Sequence, residues 1–120
     1  MLKSFRDLDV WKKAFAVAVA AGKTVQSYPR QDQWGIGRQT KEAAASVPAN
    51  IAEGYGRGSR KEYIQFLHIA HGSACELQSH LLLARSLNLA PTATLDNLVA
   101  AADEVARMLK GLIASLRDKS

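Results

Sequence analysis

Between Leu95 and Leu116 the apolar residues step by threes and fours without a break: Leu95, Leu98, Ala102, Val105, Leu109, Leu112 and Leu116. At 3.6 residues per turn this spacing lays them along one stripe of a helix. A strand, whose faces repeat every second residue, has no use for it. Three earlier stretches carry the same signature. Leu8, Trp11, Phe15, Ala18, Gly22 and Val25 predict a first helix that begins near Leu8 or Val10. It ends at Tyr28-Pro29, because the residue before proline is pushed out of helical geometry.

A second helix is expected from Asp32, whose side chain can cap an exposed amide, through Ile36, Thr40, Ala43, Val47, Ile51 and Gly54. Pro48 falls inside it, removing one backbone donor and crowding the carbonyl of Ala44. The periodicity resumes at Ile51, so Pro48 predicts a kink and not a stop. The side-chain amide of Asn50 can satisfy a backbone group freed there. Three glycines between Gly54 and Ser59 mark a turn. Ser59 and Glu62 then form a capping box. Tyr63, Phe66, Ala70, Ala74, Leu77, Leu81, Ala84 and Leu87 trace a long third helix, closed by Asn88-Leu-Ala-Pro91. The fourth has Asp96 near its start and Arg117 and Lys119 near its end, which suits the helix dipole. Short connections make neighbouring helices antiparallel. The expected fold is all-α: an up-down-up-down four-helix bundle formed by residues 1–120 as one domain.

The 120 residues are 48% hydrophobic but only 7% aromatic, and alanine is abundant, which favours close helix packing. The single cysteine, Cys75, rules out an intrachain disulfide. The N-terminal residues are mixed and charged, unlike a secretory leader, and no apolar run approaches the ~18 residues of a membrane span. A cytoplasmic protein without membrane contact is expected. The net charge of +5 is compatible with nucleic acid or another acidic partner, and equally with ordinary solubility.

The strongest candidate for nucleic-acid contact is the segment Tyr55-Gly-Arg57-Gly-Ser-Arg60-Lys61-Glu-Tyr63. Glycines let backbone amides approach phosphate, Arg57, Arg60 and Lys61 neutralise it, and Tyr55 can stack on an unpaired base. Arg60 and Lys61 in the first turn of a helix oppose its dipole, a local cost that hints at another use. Arg38 and Lys41, with Lys12 and Lys13, are further candidates. Asn50 and Glu53 share a helical face, and Glu76 on the next helix can come near them. Four readings compete for that cluster: a buried hydrogen-bonded network, an oligomer contact, an RNA-facing site and a catalytic carboxylate pair. The first two are preferred. Arg57 can reach Glu53, a neighbouring subunit's carboxylate or a phosphate. Trp11 lies on the stripe of the first helix and is expected in the core. Trp34 is expected at a subunit contact.

Enzymatic and metal chemistry find little support. His68, His71 and Cys75 fall on one stripe and all can ligate zinc, yet a single helix does not fold three ligands around an ion and no second Cys/His pair follows. Glu76 and His80 are four apart with no second such pair, which excludes a di-iron bundle. Cys75 with His71 lacks evident oxyanion donors. Gly54-x-Gly56-x-Gly58 lacks the strand-turn-helix setting of a dinucleotide site. No cofactor or metal is expected.

Phe5-Arg-Asp-Leu-Asp-Val-Trp11, Gln39, the block Ser46-Val-Pro-Ala-Asn-Ile-Ala-Glu-Gly54, Tyr55-Gly-Arg57, Phe66-Leu67, Ile69-Ala70 and Gly72-Ser73-Ala-Cys-Glu76-Leu77 stand in an order that resembles one family. It is the bacterial four-helix bundle proteins encoded by intervening sequences within 23S ribosomal RNA genes. Their superfamily includes the accessory variability protein of diversity-generating retroelements. Within the resemblance, Pro48, Asn50, Glu53, Gly54 and Glu76 are signature residues. It implies a homopentamer. In the retroelement branch it also implies RNA and a reverse transcriptase as partners. The expected function is therefore a non-enzymatic homo-oligomeric scaffold that binds structured RNA or an RNA–protein assembly. The alternative is a protein-only adaptor.

Overall fold

Each of the four periodic stretches is helical in the computed structural model, which describes residues 2–119. The helices are α1 (Asp9–Gln26), α2 (Arg38–Tyr55), α3 (Arg60–Ser86) and α4 (Thr92–Arg117). No strand is present among the described residues. The longest contacts run between α2 and α3 and between α3 and α4, and α1 closes the bundle against α2 and α4. The result is a rod of 47 × 21 × 19 Å with the chain running up, down, up and down. No described helix is long and apolar enough to cross a membrane.

The core is a column of small and branched side chains. At mid-height Ala14 and Val17 of α1, Ala44 and Val47 of α2, Ala74 and Leu77 of α3, and Ala102 and Val105 of α4 meet around a void of about 10 Å³. An alanine from each helix at one level draws the four backbones together. Leucines take over toward the ends, with Leu67, Leu81, Leu95 and Leu109 fully buried. In α4, Ile113 and Ala106 are buried beyond the expected stripe, and Leu112 and Leu116 pack at its edge. In α3, Leu67 takes the place expected for Phe66, which is half-buried, and Leu87 is exposed.

The stripe expected for α1 is displaced. Val10, Ala14, Val17, Ala21 and Val25 face the core, whereas Phe15 is half exposed and Trp11 and Ala18 are only partly covered. Trp11 thus packs against the edge of the core and not inside it. It stacks on Phe15 with ring centroids 4.9 Å apart and meets the edge of Phe5 at 5.2 Å, an aromatic ladder along the outside of the α1–α2 seam.

The helix ends follow local chemistry. Ser59 caps α3 by accepting the amide of Glu62 at 3.1 Å. The return contact goes from the Ser59 hydroxyl to the Glu62 carboxylate at 3.3 Å, not to the backbone. At the far end Asn88 adopts a left-handed φ of 57°. The amide of Leu89 then reaches the Ala84 carbonyl and that of Asn88 the Arg85 carbonyl, which is a Schellman closure with Leu89 buried beneath it.

Asp32 makes no capping bond. Asp32 instead ends a short 3-10 turn, Arg30–Asp32, and a single π turn, Gln33–Gly37, runs directly into α2. α2 continues through Pro48 to Tyr55. Asn50 does bond one turn back, but to the Ser46 carbonyl at 2.8 Å and not to Ala44.

Candidate nucleic-acid interface

The signature residues separate into a network and its neighbours. Asn50 also donates to the Ser46 hydroxyl at 2.9 Å, and that hydroxyl is hydrogen-bonded to the Ser73 hydroxyl of α3 at 2.8 Å. This part-buried chain stitches α2 to α3. Glu53 and Glu76 take no part in it, which corrects the expectation of one cluster. Ser46 stands as far before Ser59 as Ser73 stands after Arg60, so antiparallel register brings those two together. The same register sets Glu76 at the height of Ala43, about 15 Å along α2 from Glu53. Glu53 instead pairs with Arg57 at 3.1 Å. Glu76 lies exposed, its carboxylate 3.4 Å from Nε2 of His80, which has no hydrogen-bond partner. The two carboxylates cannot act as a catalytic pair. Gly54 is structural: a Cβ there would lie 2.7 Å from that of Phe66.

The glycine turn is less available to phosphate than its composition suggests. Arg57 is held by Glu53, lies 3.7 Å from Glu62 and stacks over the Phe66 ring at 4.9 Å. Arg60 donates to the Lys119 carbonyl at 2.8 Å, tying the start of α3 to the end of α4. Lys61 is exposed and makes no ion pair among the described residues. Tyr55 and Tyr63 pack edge to face, 6.0 Å apart, and burial, helped by Tyr55, raises the Tyr63 phenol above its usual pKa. Lys13 is bound to Glu104 at 2.9 Å.

Arg38 and Lys41 belong to a different place. They lie at the start of α2, about 26 Å from the glycine turn at 1.5 Å per residue. There they line a hollow of about 370 Å³ with Arg30, Gln33 and Trp34. Arg38 pairs with Glu42 at 2.9 Å, while Arg30 and Lys41 make no ion pair among the described residues. Trp34 is 79% exposed in the protomer. The candidates thus form two patches at opposite ends of the bundle. Sequence reasoning missed Arg30; a cation four residues before Trp34, itself expected at a subunit contact, was the available signal.

Two other surfaces stand out. Trp11, Phe15, Ala18 and Val19 of α1 face Ala45, Pro48, Ala49 and Ala52 of α2 across an open apolar groove of about 430 Å³. Between α3 and α4 a polar groove of about 520 Å³ is lined by His71, Cys75, Gln78, Ser79, Asp103, Arg107 and Lys110, among others. Burial foremost, then Lys110 and His68, hold His71 below the usual histidine pKa. Its Nδ1 is 3.9 Å from the Cys75 thiol. Both residues lie mid-helix, where backbone amides are already bonded to carbonyls, so no backbone oxyanion donors face the thiol. His68 turns away toward Arg117, at 2.9 Å. Among the described residues no three His, Cys, Asp or Glu side chains are grouped to hold a metal ion.

A crystal structure of a protein of unknown function from the S23 ribosomal protein family of Bacteroides thetaiotaomicron VPI-5482 has the same fold. It superposes with a TM-score of 0.81 at 23% identity over 87% of this chain and 97% of that one. No curated protein matches significantly. Residues 6–111, from the N-terminal turn to the last third of α4 and including both serine-bearing blocks, match the family described as 23S rRNA-intervening sequence protein, and the chain belongs to that family.

Proposed function

We propose that the protein is a non-enzymatic, homo-oligomeric scaffold that binds structured RNA, or an RNA–protein assembly, through its basic surface. The observation that carries this reading is the corner where Arg30, Arg38 and Lys41 surround an exposed tryptophan. Arg30 and Lys41, which make no ion pair among the described residues, remain available to phosphate, while Arg38 is held by Glu42. The glycine turn, favoured by composition, is secondary, because Arg57 and Arg60 are engaged within the fold.

The apolar groove supports the oligomeric part. Phe15 and Val19 are 50% and 43% exposed beside a row of alanines, a surface unlike that of an isolated soluble bundle. Leu83 and Leu87, one turn apart, form an exposed apolar strip at the end of α3. Groove and strip are different surfaces of one chain. A contact between them is head-to-tail, which makes a ring when its rotation closes, and the family resemblance implies a fivefold one. A tie to the retroelement branch makes a reverse transcriptase the protein partner.

Fluorescence anisotropy with a structured RNA and a matched duplex DNA at two salt concentrations tests the proposal. Salt-sensitive binding with RNA preferred is expected. No binding to either at low salt would leave the protein-only adaptor.

A further inference from the structure

Resting on that RNA-binding reading, we propose that the Trp34 corner holds one unpaired nucleotide, its base stacked on the indole and its flanking phosphates on Arg30 and Lys41.

The first argument is presentation. An indole left 79% exposed forgoes the burial that tryptophan ordinarily gains. Here it is carried on an ordered support. The Gln33 side chain donates to the Val25 carbonyl at 2.7 Å and the Tyr28 carbonyl at 2.9 Å, pinning the connection to the end of α1. Gly37 anchors the other end of the π turn. A Cβ there would lie 2.9 Å from both the Asp32 carbonyl oxygen and the Val25 side chain, so the turn sits directly on α1. The indole is therefore held outward by a braced segment, and stacking requires little further ordering.

The second argument is what surrounds it. Trp34 is the only apolar side chain lining the hollow; Arg30, Gln33, Arg38 and Lys41 complete it. An amphipathic helix would need a row of apolar contacts, which the corner does not offer. A second copy of this chain presenting the same corner would set cations against cations, and the apolar groove suits a copy better. An aromatic plane ringed by cations matches a base with a phosphate on each side. Gln33 spends its amide N–H groups on backbone carbonyls of the α1 end, so no side-chain amide donor remains to read base edges. The site accepts any base with a π-face.

The test uses the full-length protein and a labelled unstructured RNA octamer, compared with the same strand made abasic throughout, by fluorescence anisotropy at low salt. Trp34→Ala should weaken binding of the base-bearing strand on the order of tenfold and leave the abasic strand unchanged. Arg30→Ala with Lys41→Ala should weaken both. In a Trp11→Phe background, the emission of Trp34 should be quenched by the base-bearing strand only. Circular dichroism checks that each variant is folded. Equal affinity of wild type and Trp34→Ala for the base-bearing strand overturns the stacking site but leaves the cationic RNA surface standing. A change in oligomeric mass without a change in RNA affinity makes the corner a subunit contact and also overturns it. If wild type binds neither the octamer nor a structured RNA, both this site and the RNA-binding reading fall.

Discussion

Single atoms decide how closely α2 and α3 approach. Gly54→Ala would put a Cβ 2.7 Å from the Phe66 Cβ and 3.3 Å from the Tyr63 ring. Overpacking of this kind costs about 1–3 kcal/mol, against a gain of up to about 1 kcal/mol in helix propensity. A lower midpoint in thermal denaturation is expected, and an unchanged or higher one would show that the seam yields freely. Ser46→Ala strips a hydroxyl from both Asn50 and Ser73. A loss of about 1–2 kcal/mol is expected, with a double-mutant cycle against Ser73→Ala reading the coupling. Histidine 71 sets a pH effect. Its folded pKa lies below the unfolded value, so the unfolded chain binds more protons between the two. Its stabilisation is complete above the ordinary histidine pKa of about 6.5 and is lost as pH falls through that value toward the folded one. Urea midpoints should therefore fall less steeply from pH 7 to pH 5 in His71→Gln than in wild type, and identical slopes would remove His71 from the effect.

The helices themselves respond to their termini. Asn88 sits at φ 57°, where a β-branched side chain is strained. Asn88→Val should cost about 1–2 kcal/mol while Asn88→Gly stays near neutral, read from thermal melts of the two variants. An equal response would mean that the closure of α3 contributes little. This end was legible from Asn88 and Pro91, as were the Ser59 cap and the path of all four helices. The buried face of α1 was not. Its apolar residues cover more than half its circumference, so two stripes share the three-four spacing, and the larger residues pointed to Phe15 and Trp11. Alanine in the partner helices, which leaves room only for Val10, Val17 and Val25, settles the face. The π turn escaped for a related reason: Gln33 reaches across to α1 through contacts that spacing does not encode. Asn50 was read as a network residue, while Ser46 and Ser73 emerge only once the antiparallel register is fixed. Arg57 and Arg60 looked like one basic patch with Lys61 because composition records charges but not the carboxylate or carbonyl each one meets.

Across the whole molecule, the two basic ends and the apolar groove make different demands. A corner with three cations binds phosphate weakly by itself, and repetition around a ring raises its effective affinity without any new contact. RNA binding and assembly are then linked, and they can be separated by changing the groove alone. Phe15 and Val19 are half exposed, and neither contributes to the buried column. Phe15→Asp with Val19→Asp should therefore leave the helical spectrum and the melting midpoint of the protomer nearly intact. A carboxylate in an apolar contact is costly, so sedimentation should show a shift to the protomer mass. RNA affinity at fixed salt should fall on the order of 10²-fold through lost avidity, although Arg30, Arg38, Lys41 and Trp34 are untouched. A variant that remains assembled would move the subunit contact away from the groove. A dissociated variant that keeps full RNA affinity would show that each bundle binds on its own and that the ring serves another purpose.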